Sequence, residues 1–214
     1  MGRIEKGQVL QAKGRWYSTA TLIGDAEEAA RFEGGSFLTL YLSPRDYHRI
    51  HAPCGATIPW ARHIPGALLP VNGPAVAHVP ELFPRNERLL CAIDGPLGRV
   101  IVVAVGAYNV GRISAAFDRA WRAAEGESAW ITNRAGAADQ RHDYAPPLPI
   151  ARGDDLMAFH LGSTVVLLLE PGRCELDASL RPGEVVRLGQ TVALATPPPH
   201  PERSEGRPSG RQAP

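Results

Sequence analysis

Long apolar runs are the first thing this sequence lacks. None approaches the roughly 20 residues that a membrane-spanning helix needs. The start carries no signal-peptide pattern, so lipid would be met from the surface. An excess of one charge is also missing, since 23 Lys+Arg against 22 Asp+Glu leave a net charge of +1. That balance argues against a nucleic-acid binder built on a broad cationic face. Cysteine is sparse: Cys54, Cys91 and Cys174 form an odd set without CxxC spacing. Neither a disulfide framework nor a zinc site is indicated, and a reducing cytoplasmic setting is the simplest inference. What is present is ordinary for a globular domain, with 44% hydrophobic and 21% charged residues over 214 positions. The 20 prolines and 22 glycines predict many turns and short strands rather than long helices.

Along the chain, residues 3–14 alternate loosely and predict one or two short strands. Asp25 is placed to cap a short helix over Ala26–Arg31. Gly34-Gly35 then turns the chain into a strand at Ser36–Leu42. Prolines 53, 59, 65, 70 and 74 punctuate the next stretch, leaving short β pieces at Thr57-Ile58 and Leu68–Val71. Arg88–Asp94 and Arg99–Gly106, joined through Gly95-Pro96-Leu97-Gly98, read as a β-hairpin with a doubly buried second strand. Asn109–Ile113 reads as another short strand, and Phe117–Trp121 as a helical turn or irregular loop. Gly126–Pro149, low in apolar residues and holding Pro146, Pro147 and Pro149, reads as a long exposed loop. Val185–Leu194 reads as strand, glycine turn and strand, and residues 197–214 as a disordered tail.

Two stretches carry residues suited to chemistry. Phe159-His160-Leu161-Gly162-Ser163-Thr164 leads into the apolar run Val165–Leu169. Without a Cβ, Gly162 allows strained conformations in which the Ser163 hydroxyl reaches the preceding carbonyl. Attack there turns the amide into an ester, although a glycine–serine turn feeding a core strand fits the same residues. Thr164 offers a hydroxyl to an oxyanion, or is simply a strand threonine. Far upstream, Ser43–Pro53 contains His48 and His51, which share a face only if that segment is helical. Pro53 limits any such helix. Asp46 and Arg49 flank the histidines and suggest a local turn contact. Arg85, Asn86, Glu87 and Arg88 fit a buried polar network as well as phosphate binding. His63, His78, His142, His160 and His200 have no partner spacing and read as surface or incidental.

Taken together, several segments resemble the pyruvoyl-dependent phosphatidylserine decarboxylases of bacteria. They are Leu10–Gly14, Tyr41–Arg49, Leu82-Phe83 with Arg85–Arg88, Val105–Ala107, Leu161–Thr164 and Pro171-Gly172, in that family's order and spacing. The resemblance covers residues 2 to about 196. It implies a mainly β single domain, a sandwich of the duplicated hybrid-motif type with a few short helices. It implies self-cleavage at Gly162-Ser163 into a β piece, 1–162, and an α piece, 163–214, that remain together as a heterodimer. The former Ser163 becomes a covalent pyruvoyl group, the only cofactor. Phosphatidylserine then becomes phosphatidylethanolamine through a Schiff base to that group. By the same resemblance His51 activates Ser163 for self-cleavage, and His48 donates a proton to the substrate carbon. The implied setting is peripheral, at the cytoplasmic face of a membrane holding phosphatidylserine, without nucleic acid and with homo-oligomer formation left open.

One departure stands out. The family's self-cleavage triad includes an aspartate in an Asp-Gly motif upstream of the segment matching Gly2–Glu5, and no residue here aligns with it; Asp94-Gly95 falls in the hairpin turn. Loss of a triad acid costs about 10⁴-fold in a serine protease. The expectation is therefore a chain that matures slowly or not at all unless an N-terminal portion precedes it. A non-catalytic lipid-binding or scaffold domain is the alternative. A serine hydrolase using Ser163, His51 and Asp46 is disfavoured because no G-x-S-x-G surrounds the serine.

Overall fold

The computed structural model describes residues 1–12, 14–108, 112–122, 136–160 and 164–196. The chain opens with β1 (Gly2–Arg3), β2 (Gln8–Ala12) and β3 (Arg15–Ser18). Helix α1 (Thr19–Ile23) starts where the Ser18 side chain accepts from the Thr21 N–H and stops at Gly24, whose φ of 78° suits glycine. Helix α2 (Ala26–Ala30) begins at the expected Asp25 cap, which accepts from the Glu28 N–H at 3.0 Å. There follow β4 (Ser36–Tyr41), β5 (Arg49–His51), β6 (Ala56–Ile64), α3 (Gly73–His78), α4 (Leu82–Arg85), β7 (Arg88–Gly95) and β8 (Gly98–Val105). The last elements are β9 (Ile113–Ala115), β10 (Gln140–Ile150), β11 (Asp155–Phe159), β12 (Thr164–Leu169), β13 (Cys174–Leu176) and β14 (Ala193–Ala195). The mainly β architecture with a few short helices is as expected.

Seven strands form one antiparallel sheet in the order β1-β4-β12-β8-β7-β6-β10. Its centre is the hairpin β7–β8, closed by the Gly95–Gly98 pair, with β12 alongside. All of β12, and all but the turn ends of β7 and β8, are buried on both faces. Each fully buried Val, Leu or Ile there contributes about 1.5–3 kcal/mol. The hairpin's open end matches Arg88 to Val105 and Val105 to Thr164. Thr164 is therefore held by two neighbours at the same end of the sheet.

A second, three-stranded sheet has the order β5-β11-β9. Phe159 ends β11 in this small sheet and Thr164 begins β12 in the large one. Residues 160–163 thus join the two sheets, and both flanks of that junction are pinned by strand pairing.

Several local expectations give way. Pro59 lies inside β6, and Pro146, Pro147 and Pro149 lie inside β10. Strand β10 is an edge of the large sheet, and its pairing slips between Asp143 and Leu148; that of β6 with β7 slips between Thr57 and Ala61. Edges and bulges tolerate a missing N–H, so proline read as a breaker was misread. Residues 140–149 are therefore strand rather than loop, while 126–135 lie outside the described residues. Leu68–Val71 is not a strand; Ala67 makes a single bridge to Asn86. In Val185–Leu194 only the final residues join a strand. Ile113, expected to end a strand, starts β9, and Asn109–Gly111 lie outside the described residues, as does the tail from 197. Phe117–Trp121 is irregular.

Within the polar stretch Arg85–Arg88, Asn86, Glu87 and Arg88 form a buried network, while Arg85 is exposed. Arg88, 3% exposed, donates to the carbonyls of Leu22, Asn86, Thr21 and Pro84, tying α1 and α4 together. Burial pulls its guanidinium down to about 10. Asn86 accepts from the Leu69 N–H and donates to the carbonyls of Leu69 and Gly106, each at 2.9 Å. Glu87 is fully buried against His63, with His63 Nε2 2.9 Å from its Oε1. At the far end of the sheet Arg99 bridges Asp94 and Glu28, while Glu170 receives Arg31 and the Arg99 N–H.

Candidate active site

The segment after β4 turns at once, because Asp46 accepts the Ser43 N–H at 2.7 Å. Among the described residues Arg49 pairs with Asp155, and His51 with Tyr47 and Gly153, rather than with Asp46, which speaks against both the expected Asp46–Arg49 turn contact and the hydrolase triad. Strand β5 then pairs antiparallel with β11, placing His51 opposite Asp155 and Arg49 opposite Ala158. Arg49 forms an ion pair with Asp155. Being extended rather than helical, the segment gives His48 and His51 different surroundings.

His51 has both ring nitrogens engaged. Nδ1 lies 2.8 Å from the Gly153 carbonyl, and Nε2 lies 2.8 Å from the Tyr47 hydroxyl. A carbonyl only accepts, so Nδ1 carries a proton, and in the neutral form of the ring Nε2 accepts from the tyrosine. The two rings stack at 5.6 Å, 4° from parallel. Gly153 reaches this position through a left-handed φ of 90°, which favours glycine. Its turn is locked by Gly153 N–H to the Ala52 carbonyl and by Ala52 N–H to the Asp154 carbonyl, each at 2.9 Å.

His48 offers its carbonyl to the Phe159 N–H at 3.0 Å, while its Nε2 is buried without a partner among the described residues. On the other side of β11, Ser114 Oγ lies 3.2 Å from His160 Nε2. Burial lowers the His160 pKa from its ordinary 6.5, and the charges of Arg112 and Arg49 lower it further, so this ring is neutral at pH 7. Thr164, 1% exposed, has its Oγ1 buried without a partner among the described residues. Beyond it, Gly106 is fixed by Asn86 and by its N–H to the Glu87 carbonyl at 2.8 Å. Leu161, Gly162 and Ser163 lie outside the described residues. His160 and Thr164 are the described residues on either side of them, and His48 lies beside Phe159 through its carbonyl.

The histidines without partner spacing prove to have partners. His63 meets Glu87, His160 meets Ser114, and His78 bonds the Pro74 carbonyl within its own helix. His142 gives a 2.8 Å contact to Asp118 Oδ2, which also receives the Tyr144 hydroxyl at 2.5 Å, and its ring stacks on Trp121 at 4.2 Å. His200 lies outside the described residues. Only the position of His160 beside Gly162-Ser163 signalled any of this. Gly153 and Ser114 escaped sequence reasoning because their partners come from strand pairing or a left-handed turn, and Tyr47 because its partner His51, four residues on, is reached in an extended rather than a helical segment. Among the described residues no group of three or more His, Cys, Asp or Glu could hold a metal ion. None of the described helices is long and apolar enough to cross a membrane.

The family model for phosphatidylserine decarboxylase matches residues 1–194. The chain belongs to this family. It is 50% identical over 194 residues to the phosphatidylserine decarboxylase proenzyme of Anaeromyxobacter sp. (strain K), covering 91% of this chain and 66% of that one. Against the proenzyme of Myxococcus xanthus (strain DK1622) it is 43% identical over 196 residues, covering 92% and 66%. Against that of Methylibium petroleiphilum it is 43% identical over 206 residues, covering 91% and 66%. The chain thus spans just under two thirds of the length of these family members.

Proposed function

We propose that this chain is a self-cleaving decarboxylase domain, residues 1–196, that converts phosphatidylserine to phosphatidylethanolamine at the cytoplasmic face of a membrane. The supporting observation is two buried polar atoms without partners among the described residues in a member of this family: His48 Nε2, whose residue bonds Phe159 at the end of β11, and Thr164 Oγ1, at the start of β12. Leaving such atoms unpaired costs about 1–3 kcal/mol each, an expense that makes sense where reacting atoms are to be received. An imidazole nitrogen and a hydroxyl, each buried with a free hydrogen-bonding position, have the chemistry to receive a pyruvoyl group derived from Ser163.

In self-cleavage Ser163 Oγ attacks the Gly162 carbonyl carbon while His51 takes the hydroxyl proton. The Gly162–Ser163 amide bond breaks, leaving an ester and a free amine. Elimination releases the Gly162 carboxylate, and hydrolysis with loss of ammonia leaves the new end of the α piece, 163–214, beside the β piece, 1–162. Thr164 donates its hydroxyl to the oxygen that turns negative in the attack. When bound, the pyruvoyl group supplies a carbonyl able to accept the electron pair released as CO₂ departs. His48 delivers the proton to the substrate carbon from which CO₂ has left, and neutral His160 with Ser114 lines the approach without adding charge.

Intact-mass measurement with a denaturing gel tests this. Because no residue here aligns with the family's triad aspartate, the expected result is slow conversion to two fragments, the smaller beginning at former Ser163 and blocked to Edman degradation, with phosphatidylethanolamine formed from phosphatidylserine vesicles in proportion to the cleaved chain. Ser163→Ala should stay whole, and His48→Ala should cleave yet turn over at least about 100-fold more slowly, the low end for a lost general acid. A wild-type chain that stays whole and inactive overturns the proposal, and a His48→Ala chain that fails to cleave overturns the division of labour between the histidines.

A further inference from the structure

We infer that Arg49 and Arg112, with His160 and Ser114 between them, form the subsite that holds the phosphodiester of the lipid headgroup. This rests on the function proposed above and names the part of the substrate that the small sheet receives. Register decides which side chains share a face of a sheet. Ala158 pairs with Arg49 on one side and with Ser114 on the other, and the His160 N–H bonds the Arg112 carbonyl at 3.2 Å. Arg49, Ser114, Ala158, His160 and Arg112 therefore stand on one face of β5-β11-β9. The residues that alternate with them, Ile50, Met157, Phe159, Ile113 and Ala115, are buried on the other. Side-chain contact agrees with this register, since Ser114 Oγ lies 3.2 Å from His160 Nε2.

That face has the chemistry of an anion receiver. Ala158, at its centre, ends at its Cβ, whereas the arginines around it are long, and the Arg49 side chain is 56% exposed. Asp155 engages Nη1 of Arg49 and leaves the other guanidinium N–H groups for a further acceptor. The remaining titratable groups on this face are Asp155 and the stacked pair Tyr47 and His51. Asp155 sits opposite His51, whereas both arginine charges bear on His160 and lower its pKa, so the positive potential is greatest at the His160 end. With His160 uncharged, two guanidinium charges against one carboxylate leave a single positive charge, the complement of a phosphodiester. Guanidinium forks also match phosphate oxygens in shape. The substrate's carboxylate is the poorer match, because holding it between two arginines would stabilise the ground state that must lose CO₂. His160 is three residues from Ser163, a span of at most about 11 Å. In the substrate only Cα, Cβ and an ester oxygen separate the reacting amine from phosphorus.

A headgroup titration of the uncleavable Ser163→Ala chain, followed by nitrogen-15 spectra of the histidines, tests the inference. Millimolar glycerophosphoserine, a soluble headgroup with the same phosphodiester, should raise the His160 pKa and leave His63 and His142 unmoved, whereas serine alone should do neither. Arg112→Gln should raise the His160 pKa before any ligand is added and remove most of the response. Arg112→Lys should keep the resting pKa low yet weaken the response, because an ammonium keeps the charge without the fork. In the cleaving chain Arg112→Gln should leave fragment formation at the wild-type rate. Its kcat should stay within about twofold while KM for phosphatidylserine vesicles rises at least about tenfold, the equivalent of one hydrogen bond to a charged group. A His160 signal that ignores glycerophosphoserine or answers equally to serine overturns the inference, as does an unchanged KM. A response to inorganic phosphate without one to glycerophosphoserine assigns the face to free phosphate and overturns the lipid subsite. Each of these leaves the proposed function standing as long as the wild-type chain cleaves and forms phosphatidylethanolamine. If that chain never cleaves, the proposed function fails, and the titration alone decides: a glycerophosphoserine response lost in Arg112→Gln supports the subsite, and its absence overturns it.

Discussion

Replacing Asn86 with alanine strikes the joint between the buried network and the site. The side chain is fully buried and makes hydrogen bonds to Leu69 N–H, Leu69 carbonyl and Gly106 carbonyl, all at 2.9 Å. Gly106 follows Val105, the cross-strand partner of Thr164, so the contact braces the strand end beside the site. Each lost bond is worth about 1 kcal/mol, and the stranded Gly106 carbonyl adds about another 1 kcal/mol, because its bond is buried whereas those at Leu69 are part-buried and open to water. The expected loss is about 4 kcal/mol, a large share of the about 5–15 kcal/mol that holds a typical domain folded. Urea unfolding, with Ser163→Ala in every sample so that each is one chain, should show the midpoint falling at constant slope. Asn86→Asp is the sharper control: it keeps the acceptor for Leu69 N–H, loses both donors and adds a buried charge, so it should be at least as damaging. A loss below about 1 kcal/mol for both variants would refute the reasoning, since it would mean that water replaces these bonds freely.

Two further outcomes concern stability elsewhere. Gly66→Ala would place a Cβ 2.6 Å from both the Asn86 carbonyl carbon and the Glu87 nitrogen, backbone that cannot step aside, and should cost about 2 kcal/mol or more in the same urea titration; a neutral result would show the 65–72 loop to be free to move. Burial pushes the Asp118 carboxyl up, but hydrogen bonds from Tyr144, His142 and the Ala120 N–H outweigh it and hold the pKa below the ordinary 3.8. A lowered folded pKa means stability present above the ordinary value and lost as pH falls through the folded one, so Asp118→Asn should flatten the acid limb of a plot of melting temperature against pH, and an unchanged limb would sink that assignment.

The sequence by itself determined the centre of the molecule. Arg88–Ile93, Val100–Val105 and Val165–Leu169 are nearly unbroken apolar runs, and nothing but a doubly covered strand accommodates them. The Asp25 cap and the Gly95–Gly98 turn were equally legible, because their chemistry is complete within a few residues. The family segments marked Ser163, His48 and His51 as the residues to watch. Only the tertiary structure decided what surrounds those histidines. Gly153 lies 102 residues from His51, and Asp155 lies 106 from Arg49, so spacing along the chain carries no trace of either contact. Proline shows the converse: in β6 and β10 its local meaning as a breaker was overruled by an edge position and shifted register. Periodicity reports what a residue needs from its immediate neighbours. Which partner finally satisfies a carbonyl, an imidazole or a missing N–H is settled by strand register, and register is a property of the whole sheet.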